Sequence, residues 1–126
     1  IAISGNTINT GGNTCTITGV PQDAGGQGTI DGVTIDHNVL NGVVARISVE
    51  GGNSASAAIT KHVNITNNIV QSFWTAALID ITGGTYGSVN TVSVTGNTLT
   101  GPNIGQNQIL SDSHTVNSTI QNNINL

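Results

Sequence analysis

Charge is scarce in this chain. Only two of its 126 residues are basic, Arg46 and Lys61, against six acidic ones, for a formal net charge of −4. That balance excludes recognition of a nucleic-acid backbone or an anionic membrane surface, both of which need clustered cations. Cysteine occurs once, at Cys15, so no internal disulfide can form. Its setting in residues 14–17 suits a small buried or half-buried strand residue better than a nucleophile. Methionine is absent, and Phe73, Trp74 and Tyr86 are the only aromatic residues. No apolar run reaches membrane length and no signal peptide is visible, so no membrane insertion is expected. No group of His, Cys, Asp or Glu has ligand spacing, so neither a metal nor a cofactor is expected.

What the chain has in quantity is small and polar: seventeen glycines and many Asn, Thr and Ser. One octet recurs through it. Val33-Thr34-Ile35-Asp36-His37-Asn38-Val39-Leu40 has counterparts at residues 1–8, 63–70, 92–99 and 118–125. The aligned asparagines are Asn6, Asn38, Asn68, Asn97 and Asn123, at intervals of 32, 30, 29 and 26. Such a period marks a solenoid of stacked units.

Within the octet the pattern is apolar-x-apolar-x-x-Asn-x-apolar. The first apolar pair alternates and is mostly β-branched, as in a strand with one buried face. Before the asparagine stand Gly5, His37, Asn67, Gly96 and Asn122, residue types that tolerate positive φ, so a left-handed corner is expected there. Rungs of a stacked coil lie ~4.8 Å apart. Each asparagine amide would then donate and accept along the stack inside a low-dielectric interior. Asn38 is thus expected to be a scaffold residue whose loss costs ~1–3 kcal/mol in unpaired neighbours. Val33, Ile35 and Leu40 face inward in this reading.

The repeats at 33–40, 63–70 and 92–99, with weaker end copies, resemble those of the right-handed parallel β-helix family, the pectin-lyase-like fold. Members include polysaccharide lyases and hydrolases, alginate epimerases and trimeric phage tailspikes. The resemblance implies an all-β, right-handed parallel β-helix of about four to five coils, with three strands and three bends per coil. Residues 1–126 form one such domain, with an excursion loop at 19–28 rich in Gly and carrying Pro21. Beginning inside a repeat without Met suggests a piece of a longer helix. A β-sandwich would share the short strands and Gly-rich turns but would not keep one polar residue in register every ~30 positions.

Between the repeats, Asn41-Gly42, Gly51-Gly52-Asn53-Ser54, Gln71-Ser72, Gly83-Gly84 and Gly101-Pro102-Asn103 read as turns. Strands are expected at 43–50, with Ile47 and Val49 inward, and at 73–81 and 104–110. Asn125 takes the place of Ile or Leu in the last copy, weakening burial there.

Candidate chemistry starts from two acids. Val33 to Glu50 and Val63 to Asp80 are both 17 residues, which puts Glu50 and Asp80 in one slot on adjacent rungs, ~5 Å apart. Two such carboxylates would share a proton and supply an acid beside a base or nucleophile, as glycosidic cleavage requires. A spacing of ~5 Å suits retention and ~6.5–9.5 Å inversion. Arg46 is a substrate-binding candidate and an alternative salt partner for Glu50, four residues on. Trp74 aligns with Val44, either as an outward sugar-stacking platform, as a subunit contact or in a core corner. His37 reads as a corner residue, since it and Asp36 alternate in direction. Lys61-His62 reads as a solvated edge, and Asp112-Ser113-His114 is weak as a nucleophile system.

The expected function is a polysaccharide-recognising or polysaccharide-cleaving domain acting on a cell-surface glycan, extracellular or on a virion. The alternative is a non-catalytic segment holding together a homotrimeric fibre, spike or adhesin, or coils of a longer chain. A flat ice-binding Thr face is disfavoured, because Ala2, Thr34, Asn64, Ser93 and Thr119 are not a uniform Thr rank.

Overall fold

The computed structural model describes residues 1–10, 14–19, 28–52, 58–73, 77–84, 86–102 and 108–126, with the side chains of Cys15 and Gly19 not described. Strands come in sets of three. They are β1 (Ala2–Ser4), β2 (Thr7–Asn9) and β3 (Thr14–Gly19); β4 (Thr29–Asp36), β5 (Val39–Gly42) and β6 (Val44–Glu50); β7 (Ile59–Thr66), β8 (Ile69–Ser72) and β9 (Ile79–Thr82); β10 (Ser88–Thr95), β11 (Thr98–Thr100) and β12 (Ile109–Ser111); and finally β13 (Thr115–Gln121) with β14 (Ile124–Asn125). Each strand pairs in parallel with its counterpart in the next set, giving sheets ordered β1-β4-β7-β10-β13, β2-β5-β8-β11-β14 and β3-β6-β9-β12. The protein is a parallel β-helix. It makes about three coils, slightly fewer than the four to five expected. The terminal sets supply strands of only two or three residues at β1, β2 and β14, paired on one side.

The core is columnar. Ile35, Ile65 and Val94 stack in the first sheet, Leu40, Val70 and Leu99 in the second, and Ile47 and Ile79 in the third, all essentially without solvent contact. Each such side chain contributes about 1.5–3 kcal/mol relative to exposure. Asn125 pairs with Leu99 and so occupies the column of Leu40 and Val70 with a polar group. Beside it a hollow of about 310 Å³ opens, lined by Gln108, Ile120, Asn123 and Asn125 among others, and the buried Gln108 side-chain amide has no hydrogen-bond partner among the described residues.

All five expected corner residues are left-handed: Gly5, His37, Asn67, Gly96 and Asn122 have φ of 68, 53, 54, 69 and 56°. The asparagines that follow form an unbroken ladder. Nδ2 of Asn6 donates to Oδ1 of Asn38 at 3.0 Å, Asn38 to Asn68 at 3.0 Å, Asn68 to Asn97 at 2.9 Å and Asn97 to Asn123 at 2.9 Å. The backbone N–H of each donates to the same oxygen, and the second amide hydrogen of Asn38, Asn68 and Asn97 goes back to the carbonyls of Ile3, Ile35 and Ile65. Asn38, Asn68 and Asn97 are fully buried with their hydrogen-bonding capacity used. That is the only cheap way to bury an amide.

A second left-handed column was not foreseen. Gly32, His62, Thr91 and Asn117 lie inside the long strands of the first sheet with φ of 78, 53, 56 and 53°. Each reverses the alternation, so Thr60 and Val63, and Val89 and Val92, all face inward although three residues apart. The sheet bends along this line. Thr91 is the anomaly, since a β-branched residue is disfavoured there by about 1–2 kcal/mol. Thr91→Asn, matching Asn117 below it, is expected to stabilise by about 0.5–1 kcal/mol, raising the thermal midpoint by a few degrees. An unchanged or lower midpoint would show that Thr91 is held by more than its backbone.

The turns differ from expectation in detail. Asn41-Gly42 and Gln71-Ser72 belong to β5 and β8, with the chain turning at Val43 and Phe73 instead. In place of the strand expected at 73–81, β9 begins only at Ile79. Most of the proposed excursion loop, 20–27, lies outside the described residues, while Gly19 closes β3.

Candidate functional site

The outer face of the third sheet gathers the free acids. On β6 the inward residues Ala45, Ile47 and Val49 alternate with Arg46, Ser48 and Glu50, and on β9 Asp80 stands between the buried Ile79 and Ile81. Alternation therefore sets all four polar side chains on the outer face.

The register corrects the expected pairing. Asp80 lies opposite Ser48, and Glu50 opposite Thr82. Glu50 and Asp80 are diagonal neighbours, not occupants of one slot, with a Cα separation of about 7–8 Å for that arrangement. The cause is a two-residue insertion at the corner. Between the paired Gly42 and Ser72 and the paired Ile47 and Ile79, one rung has the four residues 43–46 and the next the six residues 73–78. Counting from the strand of the first sheet carries that insertion into the alignment.

Arg46 pairs with Asp80, Nη1 to Oδ2 at 4.0 Å, and not with Glu50 as the sequence alternative had it. Glu50 accepts from the Ser48 hydroxyl at 3.4 Å, while its backbone carbonyl accepts from Thr60 Oγ1 at 2.7 Å. Ser48 is fully buried despite its outward side chain, while Arg46 and Asp80 beside it keep 28% and 19% of their side chains exposed. Asp80 is therefore only half-enclosed. Its Oδ1 is buried and finds no hydrogen-bond partner among the described residues. Burial pushes its carboxyl above the usual range, the charges of Glu50 and Asp112 push the same way, and only Arg46 opposes them.

The remaining acids on the described residues are occupied. Burial alone would raise Asp112, but hydrogen bonds from the Gly83 N–H, the Thr115 hydroxyl and the His114 N–H outweigh it and hold the carboxyl below its ordinary value. Asp112 thus serves a turn, and its charge reaches Asp80. His37 Nδ1 lies 2.6 Å from Asp36 Oδ2, so the adjacent pair does meet, because the left-handed residue turns both side chains to one side. Asp36 also accepts from Thr66 at 2.6 Å, the leading cause of its lowered pKa. Asp31 is held low by His62, 2.5 Å away, and by Lys61 at 3.2 Å. The Lys61-His62 edge is exposed but tied. Trp74 lies outside the described residues.

Among the described residues no three His, Cys, Asp or Glu side chains converge as a metal site. The contribution of Asp112 to the acid group went unforeseen, because its distance from Asp80 along the chain carries no signal until β12 is set beside β9. No protein-family model matches the chain, and neither does a curated protein or a solved structure.

Proposed function

We propose that this chain is a carbohydrate-directed β-helical domain of the pectin-lyase-like kind that cleaves glycosidic bonds on the outer face of its third sheet. The observation that carries the reading is Asp80, a carboxyl with one unpartnered, water-excluded oxygen and a raised pKa beside a second carboxylate. Asp80, whose hold on its proton is strengthened by burial, acts in its protonated form as the general acid on the leaving oxygen. Glu50, offset by two residues, acts as base or nucleophile. Arg46 orients Asp80 and offers its remaining donors to substrate hydroxyls. A domain with this role works outside the cell or on a virion, where such polymers are found.

Asp80→Asn and Glu50→Gln are each expected to lower depolymerisation of a cleaved polysaccharide by at least a hundredfold, read as reducing ends released. The parent rate falls as pH rises through the Asp80 pKa, since an acid catalyst is lost on ionisation. Stability follows the same group. A raised folded pKa stabilises below the unfolded value and ceases to do so as pH climbs through the folded one. Asp80→Asn therefore melts at or above the parent temperature at pH 7 while losing activity. A variant that keeps its activity removes Asp80 from the chemistry.

A second reading is a non-catalytic segment of a homotrimeric fibre or spike. It is favoured by the internal use of Asp31, Asp36 and Asp112, which leaves little free charge on the surface. Light scattering on the purified chain separates the two, because a monomer counts against the trimer.

A further inference from the structure

The outer face of the second sheet differs from the rest of the molecule. Its strands β2, β5, β8, β11 and β14 contain no charged residue. On its adjacent rungs β5 and β8 the outward positions form three columns, flanked on β11 by Thr98 and Thr100. Val39 lies opposite Ile69, and Asn41 opposite Gln71. Immediately beyond them the Phe73 N–H donates to the Val43 carbonyl at 3.2 Å, setting Val43 and Phe73 side by side. Phe73 is 69% exposed and Ile69 47%. A line of amides thus runs along the helix axis between two apolar lines, with rungs ~4.8 Å apart. The side-chain amides of Asn41 and Gln71 form no hydrogen bond with a described residue, so each presents a donor and an acceptor outward.

We infer that this face binds a neutral polysaccharide lying along the helix axis. Hydroxyl groups, which donate and accept at once, match free amides better than they match any single charge. The C–H faces of a pyranose match the aliphatic column and the Phe73 ring. An anionic polymer is disfavoured: the face has no cation, the chain carries −4, and Arg46 and Lys61 are engaged with Asp80 and Asp31. A second copy of the chain is disfavoured by size. Five rungs by five residues cover roughly 400 Å² of flat area, against the ~800 Å² per partner of a stable interface. This binding face is separate from the acids of the third sheet and stands whether or not they cleave.

The test is affinity electrophoresis and calorimetry of the whole chain with three probes: hydroxyethyl cellulose, galactomannan and polygalacturonate. At least one neutral polymer is expected to bind, independently of salt, and polygalacturonate is not. Phe73→Ala and Gln71→Ala should each weaken binding about tenfold, with unchanged thermal melts because both side chains are exposed. Thr34→Ala, on the outer face of the first sheet, should bind as the parent does, and binding is read without reference to cleavage. Binding to neither neutral polymer, to polygalacturonate alone, or undiminished in Phe73→Ala overturns the inference. So does self-association that Phe73→Ala abolishes, which would assign the face to a second copy.

Discussion

Asn68→Ala is expected to cost about 3–5 kcal/mol, lowering the thermal midpoint by about 10–20 °C. The figure follows from what the substitution strands. The Asn38 N–H and its Nδ2 both donate to Asn68 Oδ1, and the Ile35 carbonyl accepts from Asn68 Nδ2. All of these groups are buried, and alanine leaves two donors and one acceptor without a partner. Each costs about 1–3 kcal/mol, less whatever local movement recovers. Asn6→Ala, at an exposed rung, should cost under about 1 kcal/mol, since water replaces its contacts. Asn68→Asp is the sharper control. It keeps the acceptor for Asn38 but turns a carboxylate toward the Ile35 carbonyl and Asn97 Oδ1, both acceptors. Protonation restores one donor, so this variant should be more stable at pH 4 than at pH 8 relative to the parent. Circular dichroism melts decide it, and a drop of under 3 °C for Asn68→Ala would leave the ladder with no stabilising role.

Gly84→Ala is expected to cost more than about 3 kcal/mol, whereas Gly5→Ala costs about 1–2 kcal/mol. Both glycines are left-handed, with φ of 71 and 68°. They differ in surroundings. A Cβ on Gly84 would overlap the carbonyl oxygen of Gly52 one rung away, while at Gly5 it would meet nothing within 4 Å. The same corner stacks Gly51 on Ser88 and Gly87 on Ala58 with backbone where a Cβ would go. Strain alone predicts equal effects. Backbone-on-backbone stacking predicts that Gly84→Ala broadens or abolishes the cooperative melt while Gly5→Ala shifts it by a few degrees. Equal shifts would remove the steric argument.

The candidate site was legible only in part. That Glu50 and Asp80 face outward followed from their apolar neighbours, because alternation is a local property of extended backbone. That they sit diagonally did not follow, since strand register is set by hydrogen bonds between rungs and corner length varies freely. His37 illustrates the same limit. Its residue type announced the positive φ, but its contact with Asp36 depends on where that φ sends the side chains.

By itself the sequence determined the solenoid, its ~30-residue period, the left-handed corners and the asparagine ladder. All of these repeat, and repetition at a fixed interval is visible without coordinates in space. The tertiary structure alone decided which acid stands beside which, where the first sheet bends at Gly32, His62, Thr91 and Asn117, and that Val39, Asn41, Val43, Ile69, Gln71 and Phe73 share one uncharged face. Those facts depend on the number of residues spent at each corner. Backbone pairing between rungs absorbs that number, and no periodicity along the chain records it.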